Sequence, residues 1–410
     1  MKYNSFKDVA ATENNPNYYK LIERESPLFQ SPNEIRKPFA RDYTRLLHCT
    51  AYRRLKHKTQ VFYNIESDHI CTRMEHVLHV ESVSYTIAKS LELNDELTHA
   101  IAMGHDLGHA PFGHYGESII NKLSNAYLEK SFWHEKNGLY FVDNIELLPD
   151  HNNQLKNLNL TYAVRDGIIS HCGEKDINSI LPRKDFIDLN DFLLPGQYNP
   201  ITYEGCVVKI SDKIAYLGRD IEDAINLGFL SEKDLKELSN IVKLDNGSIV
   251  NTSTIMGNMI RDICKNSSVE KGICLSDKMS DILNKIKLFN YEHIYSNERF
   301  ETFKKYAEMI IEQTFYTLLD CYKEGEVFEQ LNKKKQIYPN VIEEFINYLV
   351  KYCDYSIIPE NYKEKADRCK NKKIYDKMQN KNIYIQAVLD YISGMTDRYA
   401  VKVFNELITY

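Results

Sequence analysis

A fourteen-residue stretch of the chain, GHDLGHAPFGHYGE at 104–117, concentrates side chains that bind metals and transfer protons. Its ionisable members are His105, Asp106, His109, His114 and Glu117. Burying five such groups together is costly unless a cation or a bound anion balances them. On a regular helix the adjacent His105 and Asp106 would point about 100° apart, but where a helix ends both can turn toward one point. The stretch therefore predicts a metal site at the end of a helix.

Two further residues can complete a ligand set for such a metal. His76 lies near the start of an upstream helix, and Asp212 lies downstream in EGCVVKISDKIAYLGRDIEDAINLG. In that segment Asp212, Tyr216 and Asp220 are spaced i, i+4 and i+8, so they share one helical face. An acidic face is more often simply solvated, and by itself that interpretation would prevail. Together with the upstream cluster, Asp212 becomes a candidate fourth ligand.

The elements that must position these residues are helices, because strand signals are weak throughout. Apolar residues recur at helical spacing through 72–93, Asn94 offers an N-cap for the next helix, and that helix must end before Pro111. An apolar stripe predicts one buried face for the helix of Asp212, and it consists of Ile210, Ile214, Leu217, Ile221 and Ala224. Further helices are predicted near 115 and at about 134–147, 159–171, 204–228, 297–324 and 384–408, with solvated connections at 331–340 and 367–382.

Composition narrows the class of protein. The chain has 410 residues, of which 43% are hydrophobic, and a net charge of −6, so there is no global basic field for nucleic acid or membranes. We expect no membrane span and no signal peptide, since no apolar run has the necessary length. Nine scattered cysteines without a C-x-x-C pair predict reduced thiols and a cytoplasmic location. Twelve of the thirteen histidines lie between His48 and His171, which places the chemistry in the first half.

The order of these residues resembles a known family. His76, then His105 and Asp106, then Asp212 are similar to the H…HD…D signature of the HD-domain phosphohydrolases. More specifically, AYRRLKHKTQVF, TRMEHVLHV, GHDLGHAPFGHYGE, FWHEKNGLYFV, ISDKIAYLGRDIEDA and DYISGMTDRYA resemble blocks of the deoxyguanosine triphosphate triphosphohydrolase family. The blocks occur in the family order over most of 35–230, with the last one at 390–400.

The resemblance implies an all-α fold with an HD-domain helical core and additional C-terminal helices. It implies a catalytic region at 1–235 and a C-terminal helical region at 236–410 that packs on the site and takes part in oligomer contacts. One divalent cation would be held by His76, His105, Asp106 and Asp212. Two imidazoles and two carboxylates suit Mn, Mg, Fe, Co or Ni, and the ligand types do not choose among them.

The same resemblance gives roles to the remaining candidates. His114 would protonate the departing 5′ oxygen, with Glu117 orienting its imidazole, and His109 and His134 would contact the phosphates or assist the transfer. A second metal bound by His109 and His134 is an alternative. The substrate-binding positions implied by the family are Gln60, Arg73, Lys213, Tyr216 and Asp220. We also expect the glycines of 104–117 to let the backbone approach a phosphate.

The implied reaction is metal-dependent hydrolysis of a deoxynucleoside triphosphate to a deoxynucleoside and inorganic triphosphate. Another HD-domain nucleotide phosphohydrolase, or a catalytically silent nucleotide-binding regulator, remains the alternative. The family also implies a homo-oligomer and leaves open a nucleotide or single-stranded DNA effector. A solvated helix face is predicted for the basic run Arg53, Arg54, Lys56 and Lys58, with phosphate contact as the alternative. The block at 390–400 is expected to dock the C-terminal half against the site, without a role for Asp397 or Arg398.

Overall fold

The computed structural model describes residues 5–63, 69–172, 178–242 and 252–409. The helices of the first half are α1 (Tyr18–Leu21), α2 (Pro38–His48), α3 (Thr50–Arg54), α4 (Arg73–Ser90), α5 (Asp95–Gly104), α6 (Gly113–Leu128), α7 (His134–Tyr140), α8 (Tyr162–Ser170) and α9 (Tyr203–Asn226). Those of the second half are α10 (Glu232–Val242), α11 (Thr252–Asn266), α12 (Asp277–Asn290), α13 (Phe300–Leu319), α14 (Val327–Lys334), α15 (Pro339–Leu349), α16 (Lys363–Asp367), α17 (Lys381–Ser393) and α18 (Asp397–Ile408). The predicted all-α class is confirmed.

The strands of the described residues are very short. Antiparallel strands β1 (Leu147–Pro149) and β2 (Leu155–Asn157) form one pair, and antiparallel strands β3 (Ser179–Ile180) and β4 (Ile273–Cys274) form the other. Single turns of π-helix extend α7 over Phe141–Ile145 and α12 over Tyr291–Tyr295.

Local sequence signals begin the helices that carry the site. Thr72 and Glu75 form a reciprocal capping box at the start of α4, which fixes the first turn just before His76. The side chain of Asn94 accepts a hydrogen bond from the Leu97 amide and caps α5, as predicted. Helix α5 ends at Gly104, ahead of Pro111, so His105 and Asp106 follow directly on its last turn.

Two hydrophobic clusters form the core. The larger joins α2, α5, α6 and α8 to α13, α15, α17 and α18. The second surrounds the apolar stripe of α9 with residues of α4, α11 and α12, and all five predicted stripe residues are buried there. The expected boundary between 235 and 236 lies inside α10, and each cluster contains residues from both sides of it. The division into 1–235 and 236–410 stays a prediction.

Two predictions about the C-terminal half were wrong in detail. The single helix expected at 384–408 is interrupted, because the Thr396 side chain accepts a hydrogen bond from the Tyr399 amide and starts α18 afresh. The solvated connection expected at 331–340 is mostly helical, since Leu331 is buried in α14 and Pro339 begins α15. No helix in the described part of the chain is both long and apolar enough to cross a membrane.

Candidate metal centre and active site

Four predicted ligands from three helices converge on one point. His76 comes from α4, His105 and Asp106 follow α5, and Asp212 comes from the middle of α9. His76 Nε2 lies 3.0 Å from Asp212 Oδ1, and His105 Nε2 lies 3.9 Å from the same oxygen. Asp106 Oδ1 is 3.6 Å from His105 Nε2, and Asp106 Oδ2 is 3.8 Å from His76 Nε2. The ligand atoms of His76, His105 and Asp212 all lie within 4.8 Å of one another, a spacing that fits a single ion.

The chemistry of His105 fits a metal ligand. Its Nδ1 is 2.7 Å from the carbonyl oxygen of Ala102, to which it donates, so Nε2 carries the lone pair in the neutral ring. His105 is fully buried, and Nε2 has no hydrogen-bond partner among the described residues. A buried acceptor without a donor is costly, and a cation at this point would satisfy it.

The charges of the centre keep both carboxyl groups ionised. Burial disfavours the charged form of Asp106, but His109, Arg73 and His105 outweigh it and hold its pKa well below the usual range. Burial likewise opposes ionisation of Asp212, and the hydrogen bond and charge of His76 lower its pKa. The pKa of His76 is raised, because Asp212 and Asp106 outweigh the cost of burying its cation. Two carboxylates beside an imidazole of raised proton affinity make this point suited to a cation.

A second cluster lies beside the first and consists of the predicted proton-transfer residues. Glu117 accepts from the backbone amide of His134 at 3.0 Å, and its Oε2 lies 3.1 Å from His134 Nδ1 and 3.3 Å from His114 Nδ1. The rings of His109 and His134 stack with centroids 3.8 Å apart. His109 Nε2 lies 3.0 Å from Asp106 Oδ1, so the two clusters share Asp106 as a common member.

The pKa values of the two stacked histidines are shifted in opposite directions. Burial disfavours the His134 cation, but Glu135 and Glu117 outweigh that cost and raise its pKa well above the usual value. Burial, Arg73 and His134 lower the pKa of His109 well below it. His134 therefore has the higher proton affinity of the pair and His109 the lower one. His114 differs from both, because 73% of its side chain is exposed.

Three predicted substrate residues lie at the metal centre or at its edge. Arg73 is buried and donates from Nη1 to Asp106 Oδ2 at 2.7 Å. Lys213 and Tyr216 line a narrow cavity of about 70 Å³ that also contains Asp212 and His171.

The other two predicted substrate residues are placed differently. The backbone carbonyl of Gln60 lies 3.4 Å from Arg73 Nη2, while its side-chain Oε1 is buried without a hydrogen-bond partner among the described residues. Asp220 is buried and is not part of the lining of the cavity beside Lys213. It accepts a 2.5 Å hydrogen bond from the Tyr295 hydroxyl, and burial raises its pKa to about 7.

The glycines of 104–117 serve the packing of the protein itself. A methyl group on Gly108 would lie 2.0 Å from the His134 carbonyl oxygen, and one on Gly116 would lie 1.7 Å from the Pro111 carbonyl oxygen. Gly113 has a φ of +60°, in the region that favours glycine. These contacts give Gly108 and Gly116 a packing role, and the approach of a phosphate to this backbone stays a prediction.

Sequence reasoning missed two residues of the site. His171 is buried at the end of α8, with its ring 5.0 Å from that of His105, and its Nδ1 is 2.7 Å from the Ile168 carbonyl oxygen. Burial lowers its pKa to about 4. The concentration of histidines in the first half was the one signal for it. The sequence contained no signal for Tyr295, the hydrogen-bond partner of Asp220.

The prediction of a solvated basic face was partly wrong. Arg53 and Lys56 are exposed, as expected. Arg54 instead donates to Glu146 at 2.7 Å, and Lys58 is buried because the C-terminal half covers it.

Comparison with known proteins agrees with the geometry. The HD domain pattern matches residues 73–217, and a phosphohydrolase-associated domain matches 327–406. The chain is 34% identical over 376 residues to a deoxyguanosinetriphosphate triphosphohydrolase-like protein of Caldanaerobacter subterraneus, covering 91% of this chain and 86% of that protein. Proteins of the same name from Clostridium tetani, at 31% identity over 92% of this chain and 87% of theirs, and Desulfatibacillum aliphaticivorans, at 38% over 65% and 69%, are also similar. The chain therefore belongs to the deoxyguanosinetriphosphate triphosphohydrolase-like family of HD-domain phosphohydrolases.

Proposed function

We propose that the protein hydrolyses a deoxynucleoside triphosphate to a deoxynucleoside and inorganic triphosphate, with the help of one divalent cation. The observation that carries the proposal is the cluster of His76, His105 and Asp212 from three helices, with Asp106 within 4 Å of both histidines. The name shared by relatives that align over most of the chain supports the choice of substrate class. In the reaction, the oxygen of a water molecule bonds to the α-phosphorus, the bond from that phosphorus to O5′ breaks, and O5′ receives a proton.

The two imidazoles and two carboxylates would hold the cation. They suit Mn, Mg, Fe, Co or Ni. When bound, such a cation supplies Lewis-acid polarisation of an α-phosphate oxygen and lowers the pKa of water. The buried, partnerless Nε2 of His105 is the feature of this chain that supports the assignment.

Proton transfer is assigned to the second cluster. His114 is the most exposed of its histidines, and Glu117 lies 3.3 Å from its Nδ1, so Glu117 can hold the ring with its Nε2 turned toward the leaving oxygen. His134, whose pKa is raised, and His109, whose pKa is lowered, would flank the phosphate chain, and His134 lies 3.1 Å from Glu117 Oε2.

Binding of the nucleotide is assigned to the residues around the metal centre. Arg73 offers a cation for the α-phosphate, and Gln60 lies next to it. Lys213 would reach the phosphate tail, and Tyr216 would pack on the deoxyribose and exclude a 2′-hydroxyl. Asp220 would accept from the 3′-hydroxyl one helical turn beyond Tyr216. A homo-oligomer, a nucleotide or single-stranded DNA effector and a cytoplasmic location complete the proposal.

The test is product analysis with each of the four dNTPs and Mn²⁺ or Mg²⁺, with and without a second dNTP. We expect a deoxynucleoside and tripolyphosphate by ion-exchange chromatography. Pyrophosphate together with a deoxynucleoside monophosphate would refute attack at the α-phosphorus with release of O5′.

A pair of variants on α9 tests the metal assignment. Asp212→Asn should lower metal content in elemental analysis and abolish turnover. Asp223→Asn is the control, because Asp223 lies on the same helix and is 2% exposed but accepts from the Cys71 amide, away from the centre. Equal metal content in Asp212→Asn and the wild type would contradict the ligand set.

A further inference from the structure

The turn between α5 and α6, residues 105–112, is anchored by a pair of buried charges outside the two histidine clusters. Lys58 donates from Nζ to the carbonyl oxygen of His109 and, at 3.2 Å, to that of Ser393. Asp397 Oδ1 accepts from the Phe112 amide at 2.8 Å. The turn that carries the histidines is thus tied at two points, one at each side of Pro111.

The same two charges join the turn to the C-terminal half. Asp397 is the first residue of α18, and its Oδ2 accepts from the Thr59 amide at 2.8 Å. Ser393 is the last residue of α17. One carboxylate therefore holds two backbone segments, and one ammonium group holds the turn to the α17–α18 junction.

Burial of Asp397 and Lys58 costs desolvation free energy, and their hydrogen bonds to backbone groups offset it. Asp397 is 5% exposed and Lys58 is 3% exposed. Burial raises the pKa of Asp397, and burial together with the charge of Arg54 lowers the pKa of Lys58 to about 7. Buried charges are expensive unless they are paired and hydrogen-bonded, so this arrangement stabilises one specific geometry of the segments it joins.

The backbone of the turn needs such support. Phe112 has a φ of 64°, which is uncommon for a residue with a side chain and strained for a bulky one. The amide that Asp397 accepts from is that of Phe112 itself, two residues before His114. Loss of this acceptor would let Phe112 relax and turn His114 away from its present direction.

We propose that Asp397 and Lys58 are positioning residues that fix the direction of His109 and His114 through the backbone of the turn. The proposal rests on the proposed function for its kinetic consequences. On this proposal the α17–α18 junction influences the active site indirectly, because neither side chain contacts the predicted metal ligands.

Asp397→Asn tests the proposal with almost no change in volume. An amide keeps one accepting oxygen and loses the other, so one of the two backbone N–H groups is left without its partner. Because a misplacement of about 1 Å can cost about 10²-fold in rate, we expect kcat to fall roughly 10–100-fold. KM should stay within about twofold and metal content should not change, since the ligands remain in place.

Asp390→Asn is the matched control. Asp390 lies on α17 and is 3% exposed, but its carboxylate bonds to Tyr375 and Gln386 and not to the turn. We expect a comparable loss of thermal stability with kcat near that of the wild type. Equal losses of kcat in the two variants would show that Asp397 acts only on stability and would overturn the proposal, as would a raised KM with kcat unchanged.

A spectroscopic readout separates this proposal from the proposed function. In protein with isotope-labelled histidine, the ring resonances of His109 and His114 should move in Asp397→Asn and stay in Asp390→Asn. If the wild type hydrolyses no dNTP, the proposed function fails while these resonances still decide the positioning role. Unmoved resonances overturn it. If Asp397→Asn does not fold, Lys58→Met, which keeps an unbranched side chain one atom shorter and removes both hydrogen bonds of Lys58, should move the His109 resonances.

Discussion

Gly108→Ala should strongly lower the activity of the protein although Gly108 bears no side chain. Gly108 lies where the turn after α5 passes the first turn of α7. A methyl group there would lie 2.0 Å from the His134 carbonyl oxygen and 2.1 Å from the Gly138 amide nitrogen. Real contacts of this kind essentially never fall below 3.0 Å, so the two backbones must separate by about 1 Å. Both obstructing groups are backbone and cannot rotate out of the way.

The size of the effect follows from that separation. His109 is the next residue of the turn and His134 begins α7, so moving the two backbones apart also separates the stacked His109 and His134 rings. A displacement of about 1 Å can lower the rate about 10²-fold, and overpacking of a tight contact typically costs about 1–3 kcal/mol of stability. We therefore expect kcat for the preferred dNTP to fall about 100-fold, together with a lower Tm.

The assay compares Gly108→Ala with Gly257→Ala. Gly257 lies within α11, and a methyl group there would meet its nearest neighbour, Arg261 Nη1, at an ordinary 3.8 Å. Because alanine favours a helix over glycine by about 1 kcal/mol, the control should be as stable as the wild type or more so. A Gly108→Ala protein with wild-type kcat and Tm would refute the reasoning from close contact.

Two further predictions concern pH and metal. Tyr295→Phe removes a hydrogen bond that favours ionised Asp220, so the pKa of this buried carboxyl, already raised to about 7 by burial, should rise further. Less of it is then ionised at neutral pH, and the acidic limb of the pH profile of kcat/KM should move to higher pH, while Tyr291→Phe, at an exposed ring, should leave it in place. Added Mn²⁺ should stabilise the folded wild type by about 2.7 kcal/mol when free metal is 100 times Kd, measured by thermal or denaturant unfolding. An equal stabilisation of Asp212→Asn would contradict the proposed centre.

Sequence patterns predicted what depends on neighbouring residues. The N-cap at Asn94, the end of α5 before Pro111 and the buried stripe of α9 are local, because capping and helical periodicity involve residues only a few positions apart. The candidate ligands of the metal centre could also be predicted from the sequence, because they occur in the fixed order of the HD motif. The roles given to these residues stay predictions.

Tertiary structure alone decided what depends on distant segments. Lys58 stands in a basic run that looks solvated, yet residues more than 330 positions away cover it and accept its hydrogen bond. Asp397 had no predicted role, because its partners Thr59 and Phe112 lie far back in the chain. Nothing in the sequence around Gly108 indicates that the backbone of α7 lies against it. The sequence by itself determined which side chains each helix presents, whereas burial and hydrogen bonding depend on which helices meet, and that is a property of the whole folded chain.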